Sequence, residues 1–227
     1  MNDNSVSVND IQQGNYIYML IGLLMLIIIG PALSQKFESA AQIINQFMFV
    51  SVMLIGVWSL NIERTLFRIG LGLSIVALIL SVINYFATSK IIFVIGLAVS
   101  LLFLLLSVYL AIRHILFSGR ITPNKIIGSL CIYLLIGMIW GLIYIFLAIL
   151  FTEPFNGVAQ ASEYAQIWEY IYYSFVTLTT LGYGDIAPVL PIARSFAYLE
   201  AICGQFYLAI LVASLVSAYV ADHKKPD

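Results

Sequence analysis

Six apolar stretches run through the chain, at residues 16–33, 43–61, 69–88, 91–112, 126–151 and 193–220. Each reaches or approaches the ~20 residues with which a helix crosses a ~30 Å hydrocarbon layer. Stretches of that kind constrain a chain more than any motif, because a helix that is apolar all round must be covered by protein or by lipid. Here lipid is required: 62% of the residues are apolar and 9% charged, against about a quarter charged in a soluble domain. The expected fold class is therefore an all-α integral membrane protein whose partner is the lipid bilayer. A net charge of −1 without a basic cluster excludes nucleic acid, whose phosphates call for Lys and Arg stripes. Cys131 and Cys203 sit inside apolar stretches and read as small hydrophobes, not as a disulfide. His114 and His223 lack companions at metal-ligand spacing, so no transition-metal site is expected.

The stretches divide the chain. Residues 1–15 are polar, without Lys or Arg, and read as a tail and not as a secretory signal. Residues 16–114 hold four spans on short links, and 115–125, with Gly119, Pro123 and Asn124, form a connector ending in a helix start. Residues 126–220 hold the last two spans, and 221–227 are a second tail, too short for a regulatory domain. With the N-terminus cytoplasmic, Arg64, Arg68, Arg113, Arg120, Lys125, Lys224 and Lys225 lie inside, and Lys36, Lys90 and Arg194 outside. That satisfies the positive-inside bias and puts both termini in the cytoplasm of a multi-pass plasma-membrane protein. Glu153, Glu163, Glu169 and Asp185 then face outward, where their field would concentrate cations, or where they are simply solvated.

Between the last two spans, 167–178 is apolar and aromatic but too short to cross, and a glycine-rich segment follows it. Non-helical backbone at membrane depth persists only where protein buries it or it lines a wet path, so this reads as a re-entrant half-helix and an extended strand. Over residues 126–220 the sequence resembles the pore domain of tetrameric potassium channels, with Thr180-Leu181-Gly182-Tyr183-Gly184-Asp185 in place of that family's T-V-G-Y-G-D signature. The resemblance implies a two-helix pore domain with a re-entrant pore helix and a selectivity filter. In such a filter the carbonyls of Thr180, Leu181, Gly182 and Tyr183, with the Thr180 hydroxyl, replace the hydration shell of K+, and Gly182 and Gly184 supply the φ > 0 backbone. K+ is then the permeant ion, and no cofactor is implied. Because an ion needs oxygens all round and one chain carries one filter, the working unit is a homotetramer. A single-chain transporter with four degenerate filters would need internal repeats that this chain lacks.

The same resemblance assigns supports. Side chains of the strand point outward, so Leu181 in place of valine changes packing and not ligands. Trp168, Tyr172 and Tyr173 form an aromatic cuff for Tyr183. Tyrosines stand where many relatives carry tryptophans, which changes the hydrogen bonds that fix Asp185. Val176 stands where some relatives keep a glutamate. Thr177 and Thr179 lie at the carbonyl end of the half-helix, whose dipole favours a cation; their hydroxyls either face ions or bond back to the helix. In the last span Gly204 is a gating hinge or a site of close packing, and Gln205, Leu208, Val212 and Val216 share one helical stripe that would line a pore. Glu200, a carboxylate within a span, calls for a functional role and a partner, for which Thr177 or a tyrosine of the half-helix is the expectation.

The fourth span has no Lys or Arg between Lys90 and Arg113, so it holds no charge stack for sensing voltage. Asn45, Asn61 and Asn84 read as interhelical hydrogen-bonding residues, and Gly137-Met138-Ile139-Trp140-Gly141 as a close-packing motif. No nucleophile, base and orienter stand at workable spacing, so no enzyme is expected. The function expected is a potassium-selective channel subunit that conducts passively without strong voltage gating; the alternative is a non-conducting sensor or accessory subunit on the same scaffold.

Overall fold

The computed structural model describes residues 16–36, 47, 49–52, 64–87, 89–116, 123–159 and 163–223. Its elements in chain order are α1 (Tyr16–Lys36), α2 (Arg64–Ala87), α3 (Lys90–Leu116), α4 (Pro123–Leu150), β1 (Phe155–Asn156), α5 (Glu163–Leu178), β2 (Ala187–Pro188) and α6 (Pro191–His223). Among the described residues, five helices are long and apolar enough to cross a membrane: α1, α2, α3, α4 and α6. The stretch 43–61 lies outside the described residues except for 47 and 49–52, which are helical. Residues 1–15, Asn45, Asn61, Arg120, most of the connector and residues 224–227 also lie outside them, while 221–223 of the expected second tail continue α6.

Helix α4 is the centre of the assembly, packing against α1, α3, α5 and α6. Of its apolar window 61% is buried inside the chain, against 11% for that of α6, so α6 leaves most of its surface for lipid or for other copies. The glycines of the close-packing motif seat α5. A Cβ on Gly137 would come within 2.5 Å of the Phe175 ring, and one on Gly141 within 3.0 Å of the Ile171 Cα. Helix α1 reaches α5 by the same device, since any side chain at Gly30 would overlap the indole of Trp168.

Two details depart from a purely helical reading. Phe155 pairs with Pro188 and Asn156 with Ala187 in a two-residue antiparallel bridge, which ties the loop after α4 to the segment before α6. Asn84 also serves locally: its Oδ1 accepts the Ser89 N–H at 3.0 Å and closes the turn between α2 and α3.

Candidate functional site

Helix α5 stops at Leu178, and what stops it also shapes the segment that follows. The Leu181 N–H bonds to the Val176 carbonyl at 3.0 Å and the Thr180 N–H to the Thr177 carbonyl at 2.9 Å, the paired bonds of a Schellman cap. The residue beyond such a cap is left-handed, and Thr180 has φ 59°. A β-branched residue in that conformation is an outlier costing about 1–3 kcal/mol. The last four carbonyls of a helix lack intrahelical partners, and here each has one. Phe175 accepts from the Thr179 N–H, Val176 from Leu181 and Gly182, and Thr177 from Thr180, while Leu178 accepts the Tyr133 hydroxyl at 3.2 Å.

Beyond the cap, φ is positive at Thr180, Gly182 (62°) and Gly184 (80°) and at neither residue between them. Alternation of left-handed with ordinary residues turns successive peptide planes the same way. The N–H groups of Thr180, Leu181 and Gly182 go back to α5, leaving carbonyls for another partner. Glycine removes the cost at two of the three left-handed positions.

The far end of the segment is held by Asp185. The Tyr172 hydroxyl donates to its Oδ2 at 2.6 Å, and this bond holds the carboxyl below the usual carboxylate range. The Tyr172 hydroxyl is itself pushed up to about 12, chiefly by the same bond. Gly157 lies against the Asp185 carbonyl, where a Cβ would collide. Gly157, with φ 86°, thus lets the loop after α4 seat the end of the segment. The sequence offered no signal for it, as a glycine in a polar loop needs no such explanation.

The expected aromatic cuff is redistributed. Tyr172 reaches Asp185, but Trp168 turns to Gly30 of α1. Tyr173 packs edge-on against Tyr144 and Phe155, with centroids 4.9 and 5.2 Å away. Tyr183 is 67% and Leu181 56% exposed in the single chain. The Thr179 hydroxyl bonds back to the Phe175 carbonyl at 2.7 Å, and Thr177 lies beside Tyr173.

Helix α6 meets this site at three positions. Gly204 abuts the Leu178 carbonyl, where a Cβ would collide, so close approach accounts for the glycine. Gln205 donates a long bond of 3.4 Å to the Thr180 hydroxyl. With Leu208, Val212 and Val216 it lines one open groove, so the stripe inferred from spacing shares a face. Glu200 is fully buried, and its partners differ from those expected. Ser174 Oγ lies 2.5 Å from its Oε1, and the Tyr144 hydroxyl donates to Oε2. Neither was legible: Tyr144 is 56 residues away in sequence, and Ser174 was one polar residue among many.

Residues 130–221 match the family described as ion channel. The matched region holds α5, the segment 180–184 and nearly all of α6. A two pore potassium channel of rice is 36% identical over 69 residues, 30% of this chain and 15% of that protein. An Arabidopsis thaliana two-pore potassium channel is 42% identical over 52 residues, 23% of this chain and 12% of that one. A Rhodopseudomonas palustris protein with a potassium-channel name is 33% identical over 64 residues, 28% of this chain and 16% of the relative. The matches thus span less than a fifth of these relatives' own lengths. No solved structure matches the chain.

Proposed function

We propose that the chain is a subunit of a potassium-selective channel in which Thr180–Gly184 form the ion path, four copies surrounding one axis. The observation that carries this reading is the alternation of positive φ at Thr180, Gly182 and Gly184, joined to N–H groups that turn away into α5. Four such strands would offer rings of carbonyl oxygens to a dehydrated cation. Two further features support it. Leu181 and Tyr183 are large side chains left exposed where neighbouring copies would cover them, and α6 keeps most of its apolar face uncovered. The names of the similar proteins supply the ion. Residues 16–114 act as a helical scaffold without voltage-sensing charges, and Gln205, Leu208, Val212 and Val216 face the cavity below the filter. The test is flux from liposomes containing the purified protein, with K+, Rb+ and Na+ compared and Ba2+ as blocker. Flux of K+ and Rb+ far above Na+ is expected. Absence of flux, or flux indifferent to the cation, overturns the proposal.

A further inference from the structure

Glu200 takes part in a run of contacts whose protons can be counted. The Tyr144 hydroxyl meets Oε2, Oε1 lies 2.5 Å from Ser174 Oγ, and Ser174 Oγ lies 2.7 Å from the Gly137 carbonyl oxygen. Three contacts between oxygens need three protons. The two hydroxyls supply one each, and the Gly137 carbonyl has none to give. If Glu200 were ionised, Ser174 could donate either to Oε1 or to Gly137, and the other contact would press two acceptors together.

We propose that Glu200 is a neutral carboxylic acid that donates its proton from Oε1 to Ser174, so that Ser174 donates onward to Gly137 and the chain Tyr144, Glu200, Ser174, Gly137 closes without a gap. All four residues are buried among three helices: Tyr144 and Gly137 on α4, Ser174 on α5 and Glu200 on α6. Glu200 is thus a positioning residue that holds the filter-bearing helix to its two neighbours. The proton cannot lie on Oε2 instead, because Ser174 would again face two acceptors.

The surroundings fit a neutral acid. Titratable groups facing Glu200 are Tyr133 and Tyr144 from α4 and Tyr173 from α5, none of them a cation. On α6, Arg194 is turned away to the Pro188 carbonyl at 3.1 Å, and Cys203 is exposed. Removing the proton to bulk water would draw the Ser174 hydroxyl to the carboxylate and release the Gly137 carbonyl, where Phe175 of α5 is seated. High pH should therefore loosen α5 from α4.

The effect on conduction rests on the channel reading; the protonation state does not. Infrared difference spectra of protein carrying 13C-labelled glutamate, in liposomes at neutral pH, should show a carboxylic-acid C=O band that is lost in Glu200→Gln. In Tyr144→Phe that band should persist and shift to higher wavenumber, since its carbonyl loses a donor. Glu200→Gln places an amide N–H where the acid O–H stands, so K+ flux at neutral pH should match the wild type. The wild-type loss of flux at alkaline pH should be absent from the variant. Absence of a Glu200 acid band at neutral pH, or a Glu200→Gln protein that fails to fold, overturns the proposal. A wild type that shows the band but passes no K+ supports the neutral acid and removes the channel reading instead.

Discussion

Tyr172 and Asp185 stand thirteen residues apart in sequence and are joined by a 2.6 Å hydrogen bond that closes the segment 180–184 between the end of α5 and its own far end. It is the side-chain bond that fixes the far end of the segment, where Gly157 adds only a close backbone contact. Tyr172→Phe keeps the ring and removes the donor, so the expected outcome is a lower K+ over Na+ flux ratio with little change in folding. Tyr172→Trp, which restores an N–H donor, should recover much of that ratio. Liposome flux for the three proteins side by side checks this.

The same pair fixes a pH window. Asp185 is held below its ordinary value by the Tyr172 bond, so its contribution is present above the unfolded carboxylate range and is lost as pH falls through the lower folded value. Tyr172 is raised to about 12, so its contribution is present below the ordinary phenol range and is lost as pH rises through about 12. Between these limits the bond keeps its form. Any flux change between about pH 5 and 9, inside that window, should then survive in Tyr172→Phe, and its disappearance in that variant would count against this assignment.

Gly204 sits where α6 crosses the carbonyl end of α5, and a Cβ there would meet the Leu178 backbone oxygen. Backbone cannot yield as a side-chain tip can, so Gly204→Ala should force the helices apart at a cost of about 1–3 kcal/mol, typical of overpacking. A lowered midpoint for thermal unfolding is the expected reading. If Gly204 acts only as a hinge, the same variant changes opening without lowering that midpoint, since alanine favours a straight helix.

These tests follow a division in what the sequence could say. Helix positions depend on local composition, so α4, for instance, was expected over 126–151 and runs Pro123–Leu150. The stripe from Gln205 to Val216 was legible for a similar reason, because helical periodicity alone puts those residues on one face. Partners across helices were not. The resemblance made Trp168 a filter support, yet its side chain packs into the gap at Gly30, a residue 138 positions earlier. Likewise Glu200 announced that it needed polar partners, but only packing selects Ser174 and Tyr144. The need was local and the answer was not.

The stripe on α6 supports one more test, because it separates a pore wall from a lipid-facing surface. Leu208, Val212 and Val216 are 38%, 58% and 56% exposed in the single chain, values that either role would give. Cysteine introduced at each position should react with a membrane-impermeant thiol reagent only if the face is wet, because the thiolate that reacts needs water around it. Cys131 is buried and Cys203 exposed, so the background protein should carry Cys203→Ser. Reaction from the cytoplasmic side that blocks K+ flux at 208, 212 and 216, but not at the exposed Ile210 on another face, is the expected pattern. Equal silence at all four positions would mean that the stripe meets lipid, and the ion path would have to be sought elsewhere.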